Sequence, residues 1–299
     1  MTPLIFFGSD QYSAIVLNQL MVNGQPACRR GRWSMINIIT DHKTGGTDVE
    51  KLALKHNLHV AYYPDFDHSL ITKNTLGLCA SFDHLIPQEI IEKFDGNLYN
   101  LHPSLLPQYR NVSPVQYAIA LGDKVTGITL FRVSPTIDDG EIISQIEEPI
   151  LPPDPPPPLP SRLFAKGAEL LLQGYEPCKQ TINKVRNLVF TKRLTRDSGF
   201  IEWPVLHQLL TNQPISSSTT NQLLSLRLSR THIIIHHSSF IIHDLLRALT
   251  PWPGVWSLVP TKKGEQRISL IYNLQSTISI LISGKPAPIS LSDFTKYYL

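Results

Sequence analysis

The sequence predicts an α/β fold, a doubly wound and mainly parallel sheet, followed by a smaller, mainly β second domain. Over the first half, short apolar runs alternate with segments whose apolar residues recur at helical spacing. A proline-rich connector then leads into one more helix-forming segment, and beyond it the pattern changes to short β-like runs between polar turns. A chain of 299 residues has length for two domains with separate cores. We expect a first domain at 1–187, a linker at 188–203 and a second domain at 204–299.

Taken in order, Leu4–Phe7 reads as a buried strand ending in the Gly8-Ser9-Asp10 turn, with a helix over Ile15–Met21. Met35–Thr40 is a second strand, followed by a helix from Thr47 to His56 in which Glu50, three residues after Thr47, completes a capping box. His59–Tyr63 and Leu76–Ala80 continue the strands, and Pro87–Phe94 is a helix with proline in its first turn. Gly8 stands alone where a dinucleotide fingerprint needs three glycines, so NAD binding is disfavoured. Pro152–Pro160 lacks backbone donors and reads as an extended connector within the first domain, because Leu163–Leu172 forms a helix that packs back on the sheet. The later β-like runs are Leu226–Leu228, His232–His237, Arg267–Tyr272 and Thr277–Ile282, and Ser216–Thr220 reads as a surface loop.

Composition excludes several classes. Charged residues are 17% of the chain, below the average of about 25%, yet the apolar runs are strand-sized and far short of a spanning helix. The N-terminus lacks the pattern of a cleaved secretory leader, so a cytoplasmic protein without a membrane anchor is expected. Cys28, Cys79 and Cys178 are too scattered for a zinc knuckle or a disulfide framework. The dispersed histidines favour hydrogen-bonded or surface roles, so no metal is expected. A net charge of +3 is compatible with a polyanionic partner without indicating one.

The chemically informative segment is Tyr99–Arg110, with Thr126–Leu130 and Ile137–Ile143. Asn100 and His102, two apart at a strand end, point to one side of the sheet, toward the crevice where doubly wound proteins bind ligands. An Asn amide donating to a carbonyl oxygen, a His exchanging a proton with an amine and a distant Asp orienting the His make an acyl-transfer site. By itself this pattern also fits structural polar residues.

The run Asn100-x-His102-Pro103-Ser104-Leu105-Leu106-Pro107-x-Tyr109-Arg110 with Asp138-x-Gly140 resembles the signature of the formyl-tetrahydrofolate-dependent formyltransferases. The resemblance implies a Rossmann-like catalytic domain, 10-formyltetrahydrofolate as co-substrate, and Asn100, His102 and Asp138 as the catalytic trio, with Asp139 the lesser candidate. It implies a folate pocket built largely from the backbone of Phe82, Asp83, His84, Leu85, Ile86 and Pro87, with Ser104, Leu105, Leu106 and Pro107 beside it.

The acceptor is indicated by the second half. Phe200–Trp203 and Arg247–Gly254 resemble the entry to the OB-like C-terminal domain shared by family members that act on tRNA and some that act on sugar amines. Gly284–Ile289 with Asp293-Phe294 is similar to the closing segment of the tRNA-acting ones. That implies formyl transfer to the methionine amine of charged initiator tRNA by a chain acting as a monomer, with a nucleotide-linked amino sugar as the alternative acceptor. Candidate tRNA contacts are Lys43, Lys192 and Arg193, together with Arg29, Arg30 and Arg32, whose run also reads as an ordinary solvated loop. The sequence departs from the family at Arg110-Asn111-Val112, where Arg-Gly-Ala is usual, so a different local turn is expected. It departs also in the short His42–Thr47 loop and in Pro204–His237, which looks like an insertion.

Overall fold

The computed structural model describes residues 2–23, 33–151, 158–172, 190–211, 213, 216, 238–262, 264–272 and 278–299. Residues 152–157 of the expected Pro152–Pro160 connector, the Arg29, Arg30 and Arg32 run, most of the Ser216–Thr220 loop and the runs at 226–228 and 232–237 lie outside the described residues. Pro158–Pro160, expected in the connector, instead form the first turn of a helix, where missing amide donors cost nothing. Along the chain, β1 (Thr2–Phe7), α1 (Gln11–Asn23), β2 (Trp33–Thr40), α2 (Asp48–Lys55), β3 (His59–Tyr62), β4 (Leu76–Ala80), α3 (Gln88–Lys93) and β5 (Leu98–His102) come first. They are followed by α4 (Pro114–Ala120), β6 (Val125–Arg132), β7 (Ile142–Pro149) and α5 (Pro158–Leu172). Two compact units result. One comprises Met1–Arg110, Val125–Pro149 and Pro160–Arg186, and the other Asn111–Lys124, Ile150–Leu159 and Asn187–Leu299.

The first unit is built on a seven-stranded sheet of order β3-β2-β1-β4-β5-β6-β7. Pairs from β3 to β5 are parallel, and β5–β6 and β6–β7 are antiparallel. The strand order reverses between β1 and β4, which opens a crevice beyond their carboxyl ends. Buried Ile5, Phe7, Ile39, Cys79, Ile90, Phe94 and Leu98 make one core cluster. Phe7 meets Phe66 and Phe94 edge-on at 5.8 and 6.2 Å. Burial pushes the Cys79 thiol well above the usual range, so the group stays protonated.

Helix ends follow local chemistry. The α1 helix starts earlier than the apolar spacing suggests, because the Asp10 carboxylate accepts from the Tyr12 and Ser13 amides, both at 3.0 Å. The α2 capping box forms as read: Thr47 Oγ1 accepts from the Glu50 amide at 3.0 Å, and the Glu50 carboxylate accepts from the Thr47 amide at 3.2 Å. Pro87 caps α3 from outside rather than lying in its first turn. On one face of the sheet, Gly167 of α5 lets the helix settle on Leu101 and Ile128. A Cβ there would meet their methyl carbons at 3.1 and 2.7 Å. Glu148 of β7, 6% exposed, fastens α5 through Arg162 at 2.7 Å and through Lys166 one turn later.

The second unit holds α4, α6 (Trp203–Leu210), α7 (Ser238–Leu249) and a three-stranded antiparallel sheet of order β10-β9-β8. Its strands are β8 (Val255–Thr261), β9 (Gly264–Tyr272) and β10 (Ile278–Ile282), and α8 (Leu291–Tyr298) follows. The β reading of this region located β9 and β10 and missed the helices. In α7, buried Ile242, Leu245, Leu246 and Leu249 fall at helical spacing and pack on α4. That packing draws Asn111–Lys124, expected within 1–187, into the second unit. Arg247, 8% exposed, donates to Asp244 Oδ1 at 2.9 Å and to the Leu151 carbonyl at 3.1 Å. Burial pushes the Asp244 carboxyl up against the opposing pull of Arg247.

Candidate active site

Asn100 and His102 lie on β5, in register with Cys79 of β4 and Thr129 of β6 respectively. Leu101 between them faces α5, so the two polar side chains face the other side of the sheet. Pro103 ends the strand, and the chain turns back so that the Tyr109 carbonyl lies 2.8 Å from His102 Nε2. A carbonyl only accepts, so Nε2 carries the hydrogen and Nδ1 is the basic nitrogen. Asp138 Oδ2 stands 3.5 Å from Nδ1, with the two side chains 6% and 11% exposed. The Tyr109 carbonyl thus holds the ring through Nε2, and Asp138 faces it at Nδ1. Asp138 sits beside the ring nitrogen that the Tyr109 carbonyl leaves open.

Asp138 occupies the left-handed region at φ 49° on the turn between β6 and β7. The turn is pressed onto β6 at Gly140, where a Cβ would meet the Arg132 carbonyl oxygen at 1.6 Å, so only glycine fits. Asp139 forms an ion pair with Arg110, directly after Tyr109. Asn111 lies at φ 83°, the conformation glycine adopts most freely, and its amide donates to the Thr191 carbonyl at 3.1 Å. The turn at Asn111 is therefore left-handed, a conformation asparagine tolerates better than most side chains.

The loop after His102 is held by Thr129 and Gln145, to which no role was assigned from the sequence, and by its own Ser104. Thr129 Oγ1 donates to the Ser104 carbonyl at 2.6 Å and accepts from the Leu106 amide at 3.1 Å. Gln145 Nε2, opposite Thr129 on β7, donates to that hydroxyl at 2.8 Å and to the Leu106 carbonyl at 2.9 Å. Ser104 Oγ donates to the Gln108 carbonyl at 2.6 Å. Ser104 and Leu106 are buried, with Leu105 and Pro107 half-buried. The one available signal was a threonine inside the apolar run Ile128–Phe131.

At the end of β4 the segment Phe82–Pro87 enters the crevice. The Phe82 ring turns inward on Phe7 and Tyr63, at 5.6 and 5.4 Å. His84 Nε2 lies 2.5 Å from Asp41 Oδ1, and the Tyr63 hydroxyl donates to the Leu85 carbonyl at 2.7 Å. Asp83 and Pro87 are exposed, Ile86 half-buried and Leu85 71% exposed. With two aromatic side chains engaged behind it, the segment offers backbone and aliphatic surface, which suits a flat heteroaromatic ring. Among the candidate tRNA contacts, Lys43 is exposed in the first unit and Lys192 and Arg193 are exposed in the second. No three His, Cys, Asp or Glu side chains gather as metal ligands among the described residues. Nor is any described helix long and apolar enough to cross a membrane.

The formyl transferase family model matches residues 40–174, a span that contains Asn100, His102 and Asp138. The methionyl-tRNA formyltransferase of Streptococcus mutans is 31% identical over 248 residues, covering 70% of this chain and 76% of the relative. The chain belongs to the formyl transferase family. A second relative, the methionyl-tRNA formyltransferase of Corynebacterium diphtheriae, is 27% identical over 290 residues, 89% of this chain and 79% of that protein. In fold, the chain resembles the N-formyltransferase of Helicobacter canadensis, solved with folinic acid and dTDP-3-aminofucose. The TM-score is 0.55 at 19% identity, over 96% of this chain and 97% of that one.

Proposed function

We propose that this family member transfers the formyl group of 10-formyltetrahydrofolate to the amino group of methionine on charged initiator tRNA, in the cytoplasm. The observation that carries the reading is the His102–Asp138 pair at the end of β5, in a chain similar over most of its length to methionyl-tRNA formyltransferases. The co-substrate supplies an activated one-carbon unit, and Phe82–Pro87 with Ser104–Pro107 would hold its ring. As the amine attacks, the Asn100 amide donates to the formyl oxygen while that atom gains charge. His102 moves the proton through Nδ1: the amine gives up one proton, and the departing folate nitrogen gains one. Asp138 stabilises the imidazolium that carries it.

The test is direct. Purified chain with 10-formyltetrahydrofolate and methionyl-tRNA should yield N-formylmethionine on acid or base release, and uncharged tRNA should be inert. If a nucleotide-linked amino sugar were formylated while methionyl-tRNA was not, the acceptor assignment would fail. Exposed Lys192 and Arg193 are proposed phosphate contacts. Replacing both with alanine should flatten the slope of log kcat/KM against log salt by roughly 1 to 2 for methionyl-tRNA.

A further inference from the structure

We infer that Arg110 and Asp139 are a positioning pair that sets the gap between His102 and Asp138, an inference that rests on the roles proposed above for those two residues. The Tyr109 carbonyl fixes the His102 ring from one side. The next residue, Arg110, grips Asp139, which adjoins Asp138. One dipeptide therefore holds both members of the His102–Asp138 pair.

The turn that carries Asp138 needs such a hold. Asp138 is at φ 49°, a conformation that L-residues keep only where their surroundings impose it. Gly140, packed on the Arg132 carbonyl, anchors the turn on one flank, and the Arg110–Asp139 pair anchors it on the other. The Arg110 side chain is 18% exposed, so the ion pair is only partly in water. It also separates the work of two adjacent carboxylates, with Asp139 neutralised by Arg110 and Asp138 turned to Nδ1 of His102.

Kinetics and a substrate-free measurement on the full chain test this. Arg110→Ala and Asp139→Asn should each lower kcat about 10- to 100-fold with the KM for 10-formyltetrahydrofolate changed less than about twofold, as expected when a reacting pair is misplaced. The double variant should be no slower than the slower single one, and Arg110→Lys should regain part of the rate. Without substrate, the ¹⁵N resonance of His102 Nδ1 should shift in Arg110→Ala and Asp139→Asn, while that of Nε2 stays in place. A wild-type kcat in folded Asp139→Asn, or an unmoved Nδ1 resonance in both variants, would overturn the inference. If the wild-type chain formylated no methionyl-tRNA, the proposed function would fail and the resonance would still decide the positioning role. Should Arg110→Ala not fold, Arg110→Lys and Asp139→Asn carry the comparison.

Discussion

The two segments that meet at His102 are held by opposite means. The one after β5, Ser104–Tyr109, is largely buried and tied by neutral hydrogen bonds from Thr129, Gln145 and its own Ser104. The turn before β7 has exposed Ile137 and Asp139, and is tied by the pairing of Asp139 with Arg110 and the fit of Gly140. Buried neutral bonds resist salt and pH, and breaking one leaves an unsatisfied group in the interior. A half-exposed ion pair adds little stability and gains its effect from geometry. Substitutions in the first segment should therefore show in stability, and those in the second in rate.

The largest expected effect tests the point where the segments meet. His102→Ala and Asp138→Ala should each lower kcat for methionyl-tRNA by roughly 10²- to 10⁴-fold, while folate affinity, followed by fluorescence quenching, stays near wild type. Turnover close to wild type in either variant would remove that residue from the mechanism. Thr129→Val keeps the shape but strips the hydroxyl from Ser104, Leu106 and Gln145. It should cost about 1–3 kcal/mol in urea unfolding, against about 0–1 kcal/mol for Asp139→Ala. Equal losses would erase the distinction between the two segments.

The last effect concerns the charged tie of α5 to β7. Burial pushes the Glu148 carboxyl up, but hydrogen bonds and charge from Lys166 and Arg162 outweigh it and hold the group below its ordinary 4.5. A lowered folded-state value means that the stabilisation is present above about pH 4.5 and is lost as pH falls through the folded value. Glu148→Gln should thus be less stable at pH 7, by up to about 1 kcal/mol once the partial exposure of both cations is allowed for. The two melting curves should converge as pH falls below 4.5 and the carboxyl becomes protonated in the folded chain. Divergence there would point to another carboxylate.

What the sequence made legible was local. The capping box Thr47–Glu50, the buried strand Leu76–Ala80 and the shared face of Asn100 and His102 each depend on neighbours a few residues away. The roles of Thr129 and Gln145 could not be read because their partners lie 16 to 39 residues off, across strands whose register no spacing rule supplies. The same holds for Arg110 and Asp139, whose pairing depends on how two loops meet. In the second unit, α7 escaped notice because the β-like runs on either side of Ser238–Leu249 suggested strands throughout. Its buried leucines and isoleucine show the helical period only once Asp244 and Arg247 are seen to lie one turn apart.

Cys79 lends the molecule a clock. Its thiol is buried and protonated, in register with Asn100, so an alkylating reagent must wait until β4 and β5 part. With Cys28 and Cys178 replaced by serine, the half-time of labelling would time that opening and, read against reagent concentration, give its free energy. A compound lodged in the crevice would lengthen the half-time, so occupancy next to the reacting residues becomes measurable in a protein that is turning nothing over.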